Sequence, residues 1–245
     1  MTLAEQFAAE VTKAYTERAA RLELLPEVLA QACAGVLGVS GAGISMLVED
    51  LRVPLGSSDE AAAYAERLQT TLGEGPCLDA VTSASAAAFD LAGLSQRWPV
   101  FCGELVAKTG LRSIASLPIR SSQVPTTGAL DLYSTDDDGL TSLSLDEIGS
   151  AIVDTIATYL FVAPSTALEH GITLPLWLSN DAAVDRMDVW IAVGTLMEAA
   201  SLTSQSALAA LRSYAFRHQT TLDEVAGQLA GEALAPELVL SPSGA

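Results

Sequence analysis

Few side chains in this 245-residue chain could carry nucleophilic or metal chemistry. They are two histidines, His170 and His218, and three cysteines, Cys33, Cys77 and Cys102. Neither histidine has the spacing from a cysteine or an acidic cluster that a catalytic triad or a zinc site requires. The sequence also contains no P-loop, no dinucleotide-binding glycine fingerprint and no zincin helix. We therefore expect no catalytic activity, no metal and no cofactor.

Cys77 has the most distinctive setting of the three cysteines, because it follows Gly75 and Pro76 in a segment rich in helix breakers. A thiol there could contact a ligand or act as a redox group. A small buried residue is the alternative that the sequence favours, since no histidine stands near it. The wide, odd spacing of the cysteines predicts neither a disulfide framework nor a metal site.

The charge balance is strongly acidic, with twelve Lys and Arg against thirty Asp and Glu and a net charge of −18. Such a surface repels phosphate backbones and anionic membranes, so nucleic-acid binding requires a local exception. No apolar stretch reaches the roughly 18 to 20 residues that span a bilayer. The N-terminus lacks the apolar core of a signal peptide. We therefore expect a soluble, cytoplasmic protein without a membrane partner.

The hydrophobic periodicity predicts an N-terminal helix over residues 1–24 and an α+β domain over residues 25–163. Helical spacing recurs over residues 60–69, 98–107 and 145–162. Strand candidates, which are apolar runs between turn residues, cover residues 42–48, 51–55, 86–91, 111–119 and 128–133. This order of elements predicts an antiparallel sheet with flanking helices.

A second, all-α domain is predicted over residues 183–235, after a linker over residues 164–182 and before a flexible tail over residues 236–245. It should form a three-helix bundle, and Thr221 and Glu224 have the spacing of a capping box. The predicted inward face of the first helix is Val184, Met187, Ile191 and Gly194, with Trp190, Val193 and Met197 beside it. The predicted inward faces of the other two helices are Ala207, Leu208, Leu211, Tyr214 and Ala215, then Leu222, Val225, Ala226 and Leu229.

Three motifs in the α+β domain are Gly73-Glu-Gly-Pro-Cys-Leu-Asp-Ala80, Arg97-Trp-Pro-Val-Phe101, and Leu111-Arg-Ser113 with Leu117-Pro-Ile119. In this order they resemble the signature of actinobacterial GAF sensor domains, which are PAS-like α+β modules. The resemblance implies a small-molecule or other signal bound in a cleft. The candidate ligand-binding residues are Cys77, Asp79, Asp90 and Trp98. Capping or packing would explain the two aspartates and the tryptophan equally well.

The helical domain carries Arg186 and Ile191-Ala-Val-Gly-Thr-Leu-Met197, then Ala207 and Leu211-Arg-Ser-Tyr-Ala215, then Leu222-Asp-Glu-Val-Ala226. These residues resemble the three helices of the ANTAR domain, an RNA-binding transcription antiterminator. The resemblance implies that the sensor domain controls dimerisation or exposure of a unit that binds tandem RNA stem-loops and prevents a terminator from forming. The expected RNA contacts are Arg186, Arg212 and Arg217 through phosphates, with Tyr214 and His218 as stacking groups.

This helical domain departs from the family where the family is basic. Val193 stands in place of a lysine, Phe216 in place of an arginine, and Thr220 and Thr221 in place of a basic pair. Between residues 183 and 234, three arginines face six acidic residues. The alternative function is therefore a non-RNA-binding sensory or interaction protein whose helical domain serves dimerisation or partner docking.

Alternative roles also remain for individual residues and helices. The three arginines could lie on solvated faces or pair with acidic side chains, and a core position is the favoured role for Tyr214. We expect a homodimer in which the N-terminal helix and residues 145–162 form an intersubunit bundle; the alternative is a helix pair that covers its own sheet. A ligand-sequestering or redox protein is a third possibility that depends on Cys77.

Overall fold

The computed structural model describes residues 1–17, 21–48, 51–121, 124–162 and 181–241, and it gives the backbone alone for residues 48, 51, 121, 124–127, 162 and 181–187. We call residues 1–162 the α+β unit and residues 181–241 the helical unit. None of the helices in these ranges is long and apolar enough to cross a bilayer. The predicted linker, apart from its last two residues, lies outside the described residues.

The N-terminal helix α1 (Leu3–Glu17) buries Phe7 and Val11 in the core that it shares with helix α2 (Leu25–Leu37). The sequence predicted one helix to residue 24, but the backbone is extended at Arg21, and a 3-10 turn (Leu22–Leu24) leads into α2. Pro26 lies in the first turn of α2, a position where the missing N–H of a proline costs no helical hydrogen bond.

Five strands form one antiparallel sheet in the order β2-β1-β5-β4-β3. Their bounds are β1 (Gly41–Val48), β2 (Leu51–Ser57), β3 (Ala87–Phe89), β4 (Ser113–Ser121) and β5 (Val124–Ser134). The predicted antiparallel sheet with flanking helices is thereby confirmed. The β4–β5 hairpin is longer than predicted, since Ser121 pairs with Val124 inside the expected loop. The β-branched residues after Val124 favour this extension.

Helices cover both faces of the sheet. One face packs its apolar residues, such as Ile44 and Leu132, against α2 and residues 145–162. The other face is covered by α3 (Glu60–Leu72), α4 (Pro76–Ser83), α5 (Leu91–Arg97) and α6 (Pro99–Thr109). The sequence did not predict α4 or α5, because each is short and begins directly after a turn.

Residues 145–162 are helical throughout, as predicted, but two α-helical turns alternate with π-helical segments. The segments are α7 (Leu145–Ile148), a π segment (Gly149–Val153), α8 (Asp154–Ala157) and a second π segment (Thr158–Val162). Ile148, Ile152, Ile156 and Leu160 are buried in the core of their own sheet. Residues four apart drift by about 40° around an α-helix, and wider π turns reduce that drift. The four isoleucine and leucine side chains, spaced four residues apart, therefore all face the sheet.

The helical unit contains α9 (Asp181–Ala200), α10 (Ser204–Arg217), α11 (Leu222–Ala230) and α12 (Pro236–Leu240). These helices pack on one another, and the unit also contacts β2 through α9 and α3 through α10 and α11. The buried faces of α10 and α11 match the prediction, with Tyr214 only partly buried. The capping box of Thr221 and Glu224 is present.

Two predictions for the helical unit were wrong. The buried face of α9 is Val189, Ala192, Val193 and Leu196, whereas Ile191 and Gly194 are exposed, because the true apolar stripe lies one residue away from the predicted stripe. Residues 236–240 form α12 and bury Val239, where the sequence predicted a flexible tail. Pro236 begins this helix rather than ending the fold.

Candidate functional site

A cluster of polar side chains lies buried between the sheet and α3. Its members, which we call the polar cluster, are at most 1% exposed: Arg52, Glu66, Gln69, Ser116, Asp131 and Tyr133. Four of them alternate with apolar residues along the strands and so project from the same face of the sheet. Glu66 and Gln69 stand three apart on α3 and therefore face the same side. A Cβ at Gly43 would lie 2.3 Å from Glu66 Cδ, so only glycine lets β1 approach so closely.

Arg52 is the one positive charge of the polar cluster, and it bridges both carboxylates. Its Nη2 donates to Glu66 Oε2 and, at 3.0 Å, to Asp131 Oδ2. Its Nη1 donates to the Glu66 carbonyl oxygen at 2.7 Å and to Thr70 Oγ1 at 3.5 Å. The guanidinium thus ties the sheet to two successive turns of α3.

The neutral members complete the hydrogen bonding of the carboxylates. Gln69 Nε2 donates to Asp131 Oδ2 at 2.8 Å, and Ser116 Oγ donates to Asp131 Oδ1 at 2.5 Å. The Tyr133 hydroxyl donates to Glu66 Oε1. Each carboxylate oxygen of the pair therefore accepts at least one hydrogen bond, as buried charges require.

Two carboxylates face one guanidinium, so the polar cluster has an excess negative charge when both are ionised. Burial raises the pKa of Glu66 to about 7, with a further increase from Asp131, although Arg52 opposes the shift. Burial also raises the pKa of Tyr133 well above its usual value, so this phenol stays protonated and can donate to Glu66. The arrangement can therefore hold a proton at Glu66 near neutral pH.

Cys77, a predicted ligand-binding residue, lies beside the polar cluster at the start of α4. Its backbone N–H donates to Gln69 Oε1 at 3.1 Å, and its side chain is 1% exposed. Burial raises the pKa of its thiol well above the usual value, although Arg52 acts in the opposite direction. A protonated, buried thiol is a poor nucleophile. The setting matches the small buried residue that the sequence favoured.

Two of the other three predicted ligand residues, Asp79 and Trp98, contact Arg97, which the sequence did not predict as a site residue. Arg97 forms an ion pair with Asp79 and lies 4.7 Å from the ring centre of Trp98. The Trp98 ring makes an edge-to-face contact with Phe89 at 5.0 Å. Asp90 accepts a hydrogen bond from Gly93 N at 2.7 Å and so caps α5. Each residue has a structural contact, and their ligand-binding role stays a prediction.

The helical unit docks on the C-terminal end of α3. Arg212 Nε donates to the Thr70 carbonyl oxygen at 3.1 Å, and Leu222 N donates to Thr71 Oγ1 at 3.2 Å. Gly73, with φ +69°, ends α3, and a Cβ there would lie 2.7 Å from Arg212 Nη1. Thr70 also contacts Arg52 through its hydroxyl. One residue of α3 therefore touches both the polar cluster and the helical unit.

The structure separates the predicted RNA-binding residues. Arg212 points at α3, whereas Tyr214, Arg217 and His218 gather at what we call the α10 end. There the Tyr214 and His218 rings stack at 4.1 Å with a 26° angle between their planes, and the Arg217 guanidinium lies 5.9 Å from the Tyr214 ring centre. Arg186 belongs to α9, and its side chain lies outside the described part of the structure.

The four departures from the basic pattern also have clear positions. Val193 is buried, and Phe216 is 50% exposed. Thr221 caps α11, while Thr220 donates a hydrogen bond to Glu224. Within the described ranges, no three His, Cys, Asp or Glu side chains are grouped closely enough to hold a metal ion.

Solved structures similar to this chain include GAF domains. One is the GAF domain from a phosphoenolpyruvate-protein phosphotransferase of Coxiella burnetii, at 14% identity and a TM-score of 0.46, covering 69% of this chain and 98% of that one. Another is the phycocyanobilin-bound GAF domain from a cyanobacterial phytochrome, at 17% identity and a TM-score of 0.43, covering 68% of this chain and 97% of that one. Similarity at this level assigns no ligand or activity to this chain. No protein-family model and no curated protein matches it.

Proposed function

We propose that the chain is a cytoplasmic, non-catalytic regulator in which the α+β unit senses a small-molecule or protein signal. In this proposal the helical unit is the output, and it binds RNA stem-loops as a transcription antiterminator in a homodimer. The observation that carries the proposal is the double contact of Thr70, which joins the polar cluster to the helical unit.

Thr70 supports the coupling of sensing to output because its two polar groups have different partners. The hydroxyl accepts from Arg52 and donates to the Glu66 carbonyl oxygen at 3.1 Å. The carbonyl oxygen accepts from Arg212 of the helical unit. A change that displaces the C-terminal end of α3 therefore also moves the contact between α3 and α10. Such a linked movement is what transmission of a signal from the α+β unit to the helical unit requires.

The α10 end supports RNA as the target. His218 is exposed and already stacked on Tyr214, a ring platform on which an unpaired loop base could continue the stack. Arg217 is exposed beside these rings and can reach a phosphate. Stacking needs no net positive surface, so this small site is a local exception to the acidic charge of the chain.

The test is a salt titration of the full chain against a labelled RNA that carries two adjacent hairpins. Arg217→Ala should weaken binding and reduce the slope of log affinity against log salt by about one, because one phosphate contact is lost. His218→Ala should weaken binding without changing that slope, since it removes stacking alone. Arg120→Ala, which removes an exposed cation from β4, is the matched control and should change neither. Equal loss in Arg217→Ala and Arg120→Ala, or no binding at low salt by a folded chain, would refute RNA binding at the α10 end.

A second candidate function is docking or dimerisation through α9. Trp190, Ile191 and Met197 are each more than a third exposed on this helix, and Gly194 between them is also exposed. Such a stripe is typical of a contact surface between helices. Light scattering of the full chain and of Trp190→Ser with Ile191→Ser distinguishes the candidates. A dimer that the double variant disrupts, in a chain that binds no hairpin RNA, would favour docking.

A further inference from the structure

A cleft separates the α+β unit from the helical unit on the outer side of α3. Its volume is about 930 Å³, which falls within the range of small-molecule sites. We call it the interunit cleft. Its walls are formed by α3 and α6 on one side and by the end of α10 and the start of α11 on the other.

The interunit cleft brings opposite charges and two aromatic rings together. Arg67 and Lys108 line its α+β wall together with Glu104. Asp223 and Glu224 line the wall of the helical unit together with Arg217, whose Nη1 donates to the Ser241 carbonyl oxygen at 3.3 Å. Tyr64 and the half-exposed Phe216 contribute aromatic surface from opposite walls. A small ligand bound there can therefore contact a cation, an anion and an aromatic ring at once.

The two cations of the α+β wall have hydrogen-bonding capacity to spare. Within the described part of the chain, neither the Arg67 side chain nor the Lys108 side chain forms a hydrogen bond or an ion pair. Glu224, in contrast, already accepts a hydrogen bond from Thr221 N in the capping box and another from the Thr220 hydroxyl. In a chain of net charge −18, two such cations on one wall favour an anionic group in the ligand.

The carboxylates oppose a polyanion and favour a ligand of mixed charge. Glu104, Asp223 and Glu224 would repel a nucleic-acid backbone laid along the interunit cleft. A small molecule can instead direct its anionic group at Arg67 and Lys108 and its cationic group at Glu104. Its planar part would then contact Tyr64 and Phe216.

We propose that the interunit cleft binds a small aromatic zwitterion of the aromatic α-amino-acid class. The ligand would touch both units at once and so stabilise the docked position of the helical unit. Binding of this ligand does not require RNA binding, so failure of either proposal leaves the other intact.

The test uses the purified full chain, saturation-transfer NMR and three probes: L-phenylalanine, phenylacetate and phenethylamine. L-Phenylalanine should bind about tenfold more tightly than either singly charged probe, because only it satisfies both kinds of charge. Arg67→Gln with Lys108→Gln should weaken L-phenylalanine and phenylacetate about tenfold and leave phenethylamine unchanged.

Two further variants make the assignment specific. Glu104→Gln should weaken L-phenylalanine and phenethylamine and spare phenylacetate. Arg112→Gln with Arg120→Gln removes two cations from β4 and its entry, outside the interunit cleft, and should leave all three probes unchanged. The proposal is overturned if a folded chain binds none of the probes at about 10 mM. It is also overturned if the control variant weakens L-phenylalanine as much as the variant of Arg67 and Lys108.

Discussion

The polar cluster and the interunit cleft lie on opposite sides of the same helix, α3, and use charge differently. In the polar cluster, Arg52 bridges Glu66 and Asp131 in full burial, and the partners of each carboxylate come from the protein. In the interunit cleft, Arg67 and Lys108 have no such partners in the described ranges. Charged groups whose hydrogen-bonding partners come from the protein stabilise the fold, whereas charged groups without such partners are available to a ligand.

The contrast also separates two kinds of arginine–aspartate pair. The Arg52 and Asp131 side chains are 2% and 0% exposed, while those of Arg112 and Asp137 are 38% and 60% exposed. In the buried pair, removal of one partner leaves the other charge desolvated and lowers the free energy of unfolding strongly. In the exposed pair, water screens the interaction, so the same removal has little effect on stability.

Replacement of Arg52 should have the largest effect. Arg52→Met leaves Glu66 and Asp131 buried without their cation, and the expected loss of unfolding free energy is about 3–5 kcal/mol. Urea denaturation of the full chain measures it. Arg112→Met, which removes the exposed pair instead, is the matched control and should change stability far less. Similar losses in both variants would contradict the comparison.

The proton at Glu66 should give the next largest effect. Because its pKa is about 7 in the folded chain and lower in the unfolded chain, the folded state binds the proton more tightly. This contribution is fully present at acidic pH below the unfolded pKa and is lost as pH rises through about 7. It amounts to at most about 3 kcal/mol.

Glu66→Gln removes this titrating group while it keeps the shape of the side chain. Thermal or urea unfolding between pH 5 and pH 8, chosen to bracket the pKa of about 7, should show a smaller fall of stability with pH in the variant than in the parent chain. Identical pH slopes would mean that Glu66 does not exchange its proton in this range. Glu104→Gln, in the interunit cleft, supplies the control for loss of one carboxylate elsewhere.

Much of the fold follows from apolar periodicity, because periodicity reports which face of an element is buried. The sheet, α6 and the inward faces of α10 and α11 were predictable in this way. The stripe on α9 was misjudged because apolar residues surround this helix, and Trp190 and Ile191 compete with Val189 and Val193 for the inward position. In such a helix, the neighbouring elements decide which face is buried.

The polar cluster was missed, although its sequence signal exists. Arg52 stands between Leu51 and Val53, and Asp131 between Leu130 and Leu132, so each charge interrupts an apolar strand at a single position. In a sheet covered on both faces, a lone charge of this kind must find a buried partner. Which partner it finds depends on the pairing of β2, β1 and β5, which are distant in sequence. The interunit cleft depends likewise on how the two units dock.

The smallest predicted effect concerns the contact between the C-terminal end of α3 and the helical unit. Gly73 and Gly110 both end a helix with positive φ, at +69° and +74°. An alanine at either position strains the backbone by about 1 kcal/mol. At Gly110 the added Cβ meets nothing within 4 Å, whereas at Gly73 it meets the guanidinium of Arg212. Gly73→Ala should therefore lose about 1 kcal/mol more than Gly110→Ala, because the flexible Arg212 moves away and gives up its hydrogen bond to Thr70.

Arg212→Ala supplies the second half of this comparison. In that background no guanidinium meets the added Cβ, so Gly73→Ala and Gly110→Ala should cost the same, and urea denaturation of the single and double variants measures the coupling directly. If Gly73→Ala still loses more unfolding free energy than Gly110→Ala without Arg212, the difference arises within α3 and not at the contact with the helical unit. The position of the helical unit would then depend on another polar contact, the hydrogen bond from Leu222 N to Thr71 Oγ1. Thr71→Val would take the place of Arg212→Ala as the variant that loosens this contact.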